Sequence, residues 1–335
     1  MGIYQPPFTV TNEMILLVGR ISEKTGRITE RNILDARPHM RRDNRIRSIH
    51  SSLAIEANSL TLDETRSVIN GHLVIGPEQE IIEVQNAYQA YEQIPSIDPY
   101  SEMDLLHIHG IMTNHLVAES GQYRHGNEGV FSGDTCIFMA PPPNMVPELM
   151  QSLFSWMQEN KNKIHPLILS SVFHYEFVFI HPFSDGNGRM ARLWQTVLLA
   201  RWNDVFQYIP LESQIQSFQE GYYDAISECP KNGNSDVFII FMLKRIDELL
   251  EDVLKTRPLT GNDEAVRVAR LLNCMEAGNE YSAAELMFFL GLKSRKTFRE
   301  NYLQPAMAQG TVKMTDPEHP RNRNQKYFRF CDGHR

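Results

Sequence analysis

A long apolar segment followed by a short polar one limits the possible fold of this chain more than any other feature. Residues 167–180 are mostly apolar and predict a largely buried helix, and a helical pattern resumes at Arg189 and runs to Arg201. The residues from 181 to 192 read His-Pro-Phe-Ser-Asp-Gly-Asn-Gly-Arg-Met-Ala-Arg. The pattern therefore predicts a helix–loop–helix corner with polar side chains at the start of the second helix.

The residue types at this corner suit phosphate chemistry. Gly186 and Gly188 flank Asn187, so the backbone can adopt positive φ and turn its N–H groups toward an anion at the positive end of the second helix. Arg189 and Arg192 lie within one helical turn of about 3.6 residues, so both guanidinium groups can face one polyphosphate chain. A polyphosphate ligand is therefore expected here.

Two further residues of the corner supply catalytic groups. Asp185 offers the hard oxygen that Mg²⁺ prefers, and a single carboxylate suffices when a nucleotide and water provide the other ligands. His181 begins the loop, and its imidazole titrates near neutral pH, so it is a candidate general base for an attacking hydroxyl.

The same residues match in full the signature of the Fic family, His-Pro-Phe-x-Asp/Glu-Gly-Asn-Gly-Arg-x-x-Arg, and the chain resembles that family. The resemblance implies transfer of AMP from ATP to a protein Ser, Thr or Tyr, with release of pyrophosphate, His181 as the base and Mg²⁺ on Asp185. The ATP-binding residues that it implies are Phe183, Gly186, Asn187, Gly188, Arg189 and Arg192. Relatives of the Doc group, which transfer phosphate, have Ala-Asn-Lys-Arg in place of Gly-Asn-Gly-Arg, and this chain does not.

A structural alternative explains each part of the corner singly. A Gly-Asn-Gly turn is often only a tight connection, a proline such as Pro182 only ends a helix, and paired arginines only form a solvated face. Their joint occurrence within one short segment favours the functional interpretation.

A second segment, around Ser52 and Glu56, resembles the inhibitory helix of Fic proteins that carry it N-terminal to the catalytic domain. Ala57 departs from the pattern, which has Gly or Asn after the glutamate. The resemblance implies that Glu56 pairs with Arg192 and occupies the space that a γ-phosphate needs. A carboxylate can bind a guanidinium group bidentately, as a phosphate does.

Two other roles for Glu56 remain open. In the first, Glu56 is an ordinary exposed residue that precedes the next helix. The capping box Thr61-Leu62-Asp63-Glu64 predicts the start of that helix. In the second, Glu56 positions a water molecule if the enzyme removes AMP from a modified protein rather than adding it.

A β-hairpin is expected within residues 119–143, which are rich in Gly, Asn and Pro and lose the helical period. Fic proteins place such a flap beside the active site, and its exposed edge could hold a target segment by main-chain hydrogen bonds. The flap residues that we expect to bind the target are Val130, Phe131, Ile137 and Phe138. The alternative is a purely structural hairpin.

Composition limits the function classes. The chain has 335 residues and a formal net charge of −8, which argues against a protein that coats nucleic acid. No apolar run approaches the length of a membrane span, and the first residues carry neither a signal-peptide pattern nor a lipidation motif, so we expect a cytoplasmic protein with no membrane partner. The four cysteines are far apart and predict neither a disulfide framework nor a zinc site.

The histidines of one predicted helix, His107, His109 and His115, do not form a zinc motif. The sequence has no His-Glu-x-x-His and no carboxylate at zinc-ligand spacing beside them. We therefore expect them to lie in the core or at an interface.

The expected architecture is mainly α and has three parts. Residues 1–100 form an N-terminal helical region with the inhibitory helix, residues 101–257 a Fic-type helical core with the hairpin flap, and residues 261–335 a small C-terminal domain. The order of helix, helix-turn-helix and two strands in the last part predicts a winged helix-turn-helix domain.

Charge in this C-terminal part leaves its partner open. Residues 261–335 contain twelve Lys and Arg against nine Asp and Glu, which gives +3 in an otherwise acidic chain. The third helix would present Arg295, Lys296 and Arg299 near its start, the end that enters a DNA major groove in such domains. Residues 282–330 could bind DNA or dock against a protein.

Three functions therefore remain in view. The first is AMP transfer to a protein hydroxyl, on a separate target or on the chain itself, with Glu56 holding the resting state inactive. The second is removal of AMP from a modified protein. The third is a DNA-binding regulator in which the nucleotide pocket serves as a sensor.

Overall fold

A computed structural model of the chain describes residues 5–30, 38–132, 135–255, 264–275, 278–320, 322 and 325–330. Side chains of residues 38–40, 130–138 and 265–266 lie outside this description. The chain divides into two compact units, Met1–Thr256 and Arg257–Arg335. The expected mainly helical architecture is confirmed in both units.

The first unit is built from helices and one hairpin. Its helices in chain order are α1 (Asn12–Glu30), α2 (Pro38–Ile55), α3 (Leu62–Ile69), α4 (Glu78–Glu92), α5 (Glu102–Met112), α6 (Val146–Asn160), α7 (Pro166–Ile180), α8 (Asn187–Trp202), α9 (Leu211–Ser217), α10 (Gln219–Asn232) and α11 (Asp236–Lys255). A single cluster of buried apolar side chains runs from Met14 in α1 to Leu250 in α11. The helices before residue 100 therefore share one core with the helices that follow.

The helices α7 and α8 form the centre of this core and frame the corner. The apolar sequence of α7 buries nearly all of its residues, and α8 is buried from Asn187 to Ala200 except at Gly188. Large rings such as Phe173 and Trp194 fill the space between them. Because both flanking helices are packed on all sides, the loop between them is held at fixed ends.

Local capping signals place the N-terminal helices. The predicted capping box at Thr61 is present: the Thr61 side chain accepts from the Glu64 N–H, and the Glu64 carboxylate accepts from the Thr61 N–H, so α3 starts at Leu62. The helix α2 ends at Ile55, and Ala57 follows with a left-handed φ of 68°. Glu56 therefore lies in the turn directly after α2.

The predicted hairpin is confirmed as two antiparallel strands, β1 (Gly129–Ser132) and β2 (Thr135–Met139). Val130 pairs with Phe138, and the register shifts between Val130 and Phe131. The turn at residues 133–134 and the side chains of all four predicted target-binding residues lie outside the described residues, so that role stays a prediction.

The second unit has its own small core. Its elements are α12 (Glu264–Asn273), β3 (Glu280–Ser282), α13 (Ala283–Phe289), α14 (Arg295–Phe298), a π-helical turn (Arg299–Leu303), α15 (Gln304–Ala308), β4 (Val312–Met314) and β5 (Lys326–Arg329). The strands form an antiparallel sheet in the order β3-β5-β4. The strand β3 was not expected, because three residues are too short to show a period of two. The winged-helix assignment stays a prediction.

A membrane-spanning helix is absent from the part of the chain that the structure describes: none of its helices is both long and apolar enough.

Candidate active site

The backbone turns sharply at both ends of the corner. His181 ends α7 in the left-handed region, at φ 51° and ψ 61°, while its N–H donates to the Phe177 carbonyl at 2.9 Å. Gly186 precedes α8 at φ 81°, a conformation that favours glycine, and a Cβ there would come within 3.1 Å of the Thr113 methyl group. The loop thus leaves one buried helix and enters the next within a few residues.

Side chains of the loop hold its own backbone. The Asn187 side-chain amide accepts from the Phe183 N–H at 2.9 Å and donates to the Phe183 carbonyl at 2.7 Å. Phe183 itself is fully buried. Both residues are predicted to bind ATP, and that role stays a prediction; in the structure the Asn187 side chain holds the loop at Phe183.

His109 in α5 packs against the loop and holds it in place, a role that the sequence does not predict. Its ring stacks on Phe183 with centroids 3.6 Å apart. Nδ1 accepts from the Gly121 N–H at 3.0 Å, so the proton lies on Nε2, which donates to the Asp185 carbonyl at 3.0 Å. Burial lowers the pKa of His109 to about 4, so the ring stays neutral and keeps both bonds at physiological pH. The expectation of a core histidine is correct for His109, although no sequence signal ties it to the loop. It is wrong for His107 and His115, which are exposed, and His115 lies beyond the end of α5.

The start of α8 forms an anion cradle. The first intrahelical bond of α8 runs from the Met190 N–H to the Gly186 carbonyl, so the N–H groups of Asn187, Gly188 and Arg189 have no acceptor within the helix. A Cβ on Gly188 would collide with the Glu56 carboxylate. Only glycine leaves room here for an anionic group against the helix end.

Arg192 is held by the end of α2. Its Nε donates to Ser52 Oγ at 3.0 Å, and its Nη2 donates to the Ser52 carbonyl at 2.9 Å and to Glu56 Oε1 at 2.7 Å. The Arg192 side chain is 1% exposed and that of Glu56 is 39% exposed. The structure thus brings together Ser52, Glu56 and Arg192, although Ala57 breaks the sequence pattern.

Arg189 is buried and incompletely bonded. Its side chain is 3% exposed, and its Nη2 donates to Asp185 Oδ2 at 2.6 Å. Its Nη1 lies 3.7 Å from Oε1 of Glu83 in α4, a neighbour that sequence reasoning missed. Within the described residues, neither Nε nor Nη1 has a hydrogen-bond partner. A buried guanidinium group with unused donors fits an anionic ligand.

Asp185 meets the requirements of a magnesium ligand only together with a nucleotide. Its side chain is 46% exposed, and its two oxygens accept from the Gly186 N–H and from Arg189, each at 2.6 Å. The described part of the chain has no group of three or more His, Cys, Asp or Glu side chains that could hold a metal ion. One carboxylate beside a phosphate cradle fits Mg²⁺, which keeps water and substrate phosphates as its other ligands.

His181 is set up as a proton acceptor. Its Nδ1 lies 3.4 Å from the Val178 carbonyl, which favours the proton on Nδ1 and leaves the Nε2 lone pair available. Burial lowers the pKa of His181, so the neutral form prevails at physiological pH.

Arg124, just before the hairpin, joins the hairpin to the corner. It is 2% exposed and donates to the His181 carbonyl and to backbone carbonyls at both ends of the hairpin. The sequence gives this arginine no periodicity or charged partner, so its role was not predicted.

Comparison with known families agrees with this geometry. Residues 99–199 match the pattern of the Fic/DOC family, and residues 266–329 match the pattern described as "Filamentation induced by cAMP protein Fic-like, C-terminal domain".

Solved structures with the same fold include two Fic proteins. A Fic family protein from Desulfovibrio desulfuricans G20 is 42% identical, with a TM-score of 0.75, over 99% of this chain and all of that one. Fic-1 from C. elegans, residues 134–508, is 21% identical with a TM-score of 0.55, over 72% of this chain and 73% of that one, and shows the fold alone.

Curated relatives share part of their length with this chain. The protein adenylyltransferase Fic of Nematostella vectensis is 28% identical over 216 residues, which is 62% of this chain and 48% of the relative. That of Drosophila mojavensis is 31% identical over 178 residues, which is 51% of this chain and 34% of the relative. The chain thus spans half or less of the length of these relatives.

Proposed function

The chain belongs to the Fic family, and from that premise we propose that it transfers AMP from ATP to a hydroxyl side chain of a protein target, with release of pyrophosphate. The observation that carries the proposal is the corner itself. A base with a free lone pair, a half-exposed carboxylate and an incompletely bonded buried arginine surround one helix N-terminus. The names of the curated relatives, protein adenylyltransferase Fic, support the same reaction.

His181 is the general base in this proposal. Its Nε2 accepts the proton of a Ser, Thr or Tyr hydroxyl as the hydroxyl oxygen attacks the α-phosphorus of ATP. A bond forms between that oxygen and the α-phosphorus, and the bond from the α-phosphorus to the bridging oxygen of the β-phosphate breaks. The products are the AMP-modified protein, pyrophosphate and a protonated His181, which returns its proton to solvent.

The cradle at the start of α8 binds the phosphates. The free N–H groups of Gly188 and Arg189 face an anion at the positive helix end, and the unused donors of Arg189 add charge-assisted hydrogen bonds. Phe183 and Asn187 act through the loop that they hold, and Asn187 adds its backbone N–H. Fixing the phosphates at this point sets the α-phosphorus against the incoming hydroxyl.

Asp185 is the proposed magnesium ligand. Its exposed carboxylate would turn from Arg189 toward the ion and release the Arg189 donors for phosphate oxygens. Bound Mg²⁺ would neutralise part of the phosphate charge and favour departure of pyrophosphate.

Glu56 is proposed to keep the resting enzyme inactive. Its carboxylate occupies the space above Gly188 and takes an Arg192 donor that a γ-phosphate would need. Because the Arg192 side of the pair is buried, loss of Glu56 would leave a buried guanidinium group without its counter-charge, which an incoming phosphate could supply. Movement of the turn after α2 would free Arg192.

The hairpin is the proposed binding place of the target. Strands β1 and β2 form a two-stranded sheet, so an extended target segment can add to an edge by main-chain hydrogen bonds. Such binding accepts many side chains, and a segment of the chain itself is one possible target. We also propose the cytoplasmic location that the sequence predicts, because ATP is the proposed substrate and, among the described residues, Cys229 and Cys274 form no disulfide.

DNA binding by residues 282–330 is a second proposal, carried by a separate observation. Arg295, Lys296 and Arg299 are all exposed at the start of the third helical segment of the second unit. Fluorescence anisotropy with duplex DNA at several salt concentrations tests it. Binding that weakens with salt and is lost in Arg295→Ala with Lys296→Ala supports it, and no binding at low salt contradicts it.

ATP labelled on the α-phosphate separates the three functions. A transferase retains label on protein, AMP removal releases it from a modified protein, and a nucleotide sensor does neither. Intact mass after incubation with Mg-ATP and a cell lysate identifies modified protein by a gain of one AMP. Retained label that disappears in His181→Ala supports the proposed transfer.

A further inference from the structure

Arg124 makes an unusual set of contacts for a buried arginine. Its Nε donates to the His181 carbonyl at 2.6 Å, and its Nη2 donates to the Ile180 carbonyl at 3.4 Å. Nη1 donates to the Gly126 carbonyl at 2.7 Å, and Nη2 also donates to the Pro141 carbonyl at 2.6 Å. All four acceptors are backbone carbonyl oxygens, so the guanidinium plane fixes main chain rather than a side chain.

These contacts join two elements that are far apart in sequence. Gly126 precedes β1 and Pro141 follows β2, so Arg124 binds both ends of the hairpin. The Arg124 N–H also donates to the Pro182 carbonyl at 3.0 Å, next to His181. The base and the proposed target-binding flap are therefore tied through one side chain.

His181 needs such support because its backbone is strained. A left-handed φ of 51° is strained for a residue with a Cβ and persists only where the surroundings enforce it. Two of the enforcing contacts on the described residues are the N–H of His181 bound to Phe177 and its carbonyl bound to Arg124.

We propose that Arg124 is a positioning residue for the transfer reaction, because it fixes the backbone of His181 and both ends of the hairpin as one unit. The base and a target segment held by the hairpin then keep a constant relative position. This inference rests on the proposed transfer function.

The charges around His181 give the proposal a second consequence. Burial has the largest effect on the pKa of His181 and lowers it. The Val178 carbonyl and the carboxylates of Glu128 and Glu56 raise this pKa. The Arg124 charge lowers it. Loss of the Arg124 charge therefore raises the pKa of His181, whereas a lysine at this position preserves the charge without the planar set of donors.

The test compares Arg124→Lys and Arg124→Gln in the Glu56→Gly protein, with Arg201→Lys as the control for an exposed arginine. The measurements are Mg-ATP affinity by calorimetry, the rate of self-labelling at saturating ATP, and the His181 pKa by NMR titration of labelled histidine. We expect ATP affinity within twofold of the parent and a rate at least tenfold lower in both variants. We expect the His181 pKa to rise only in Arg124→Gln.

Unchanged rates in both variants, or ATP affinity that falls in proportion to the rate, would overturn the proposal. If Arg124→Gln does not fold, the rate of Arg124→Lys decides alone. If the Glu56→Gly parent itself is not labelled, the proposed transfer function is wrong, whatever the role of Arg124. Hydrogen exchange then tests the positioning role of Arg124. Faster exchange of both residues 129–139 and the corner in Arg124→Lys supports the positioning role, and unchanged exchange contradicts it.

Discussion

The Glu56 carboxylate lies directly over the Cα of Gly188, so that a methyl group on Gly188 would collide with it. This places a negatively charged side chain of the N-terminal helices at the positive end of α8, where the backbone N–H groups lack acceptors. Glu56 therefore occupies the anion cradle and also forms an ion pair with Arg192, the neighbouring cation. The proposed inhibition follows from this one position.

Glu56→Gly should raise self-labelling from labelled ATP by tenfold or more, which corresponds to about 1.4 kcal/mol or more. The reason is that the substitution empties the cradle and frees the Nη2 donor of Arg192 that Glu56 uses, while Nη2 keeps its bond to the Ser52 carbonyl. Adding Arg192→Ala to Glu56→Gly should cancel the gain, because the released arginine is the group that binds ATP. Equal labelling of the folded wild type and the folded Glu56→Gly protein would contradict inhibition by Glu56.

Ala57→Gly should tighten the resting state. Ala57 has a φ of 68°, where alanine is strained by about 1 kcal/mol relative to glycine. The substitution should raise the free energy of unfolding by about that amount and lower the basal labelling of the otherwise wild-type protein, since Glu56 is then held more firmly. Chemical denaturation and labelling measure the two effects.

Ala54→Gly, three residues earlier within α2, is the matched control for Ala57→Gly. Ala54 lies in the last turn of α2, where glycine costs up to about 1 kcal/mol relative to alanine, so stability should fall there. A loss of stability at both positions would contradict the strain at Ala57.

Asp185→Ala should lower the labelling rate of the Glu56→Gly protein and make the remaining activity insensitive to added Mg²⁺. Asp185 is the half-exposed carboxylate beside the cradle, and its loss removes the proposed protein ligand to the ion. The control is Glu119→Gln, which changes a nearby carboxylate that interacts with Ser184 and His125. This control should keep the dependence on Mg²⁺, and an unchanged dependence in Asp185→Ala would place the metal elsewhere.

The labelling rate should depend on the protonation of His181. Burial lowers the pKa of His181 below its ordinary value of 6.5, and only the neutral ring accepts a proton. Activity is therefore expected to reach its plateau well above pH 6.5 and to fall at lower pH, with a midpoint below 6.5. A pH–rate profile of the Glu56→Gly protein measures this, and a midpoint clearly above 6.5 would contradict the described environment of His181.

Local sequence signals predicted the helix–loop–helix corner, because spacing within one turn and glycine at special positions are properties of neighbouring residues. The same holds for the capping box at Thr61. The pair between Glu56 and Arg192 joins residues far apart in the chain and was predicted only through the family resemblance.

The supporting residues could not be predicted because their contacts are set by packing. The sequence around His109 does not show that α5 packs against the loop, so only a core position could be expected for it. Arg124 binds backbone carbonyl groups, and these do not depend on residue type, so no sequence pattern indicates the contacts. Glu83 faces Arg189 from α4, and no spacing rule connects the two. The positive φ of Ala57 was hidden for another reason, since alanine does not favour that conformation.

The most direct test of the account compares Glu56→Gly with Glu56→Gly plus His181→Ala, each incubated with Mg²⁺ and ATP labelled on the α-phosphate. Both proteins should bind Mg-ATP with similar affinity, because the phosphate contacts lie in other residues. We predict covalent label on the Glu56→Gly protein or its target and none above background when His181 is replaced. No label with either protein, or equal label with both, would contradict AMP transfer by His181.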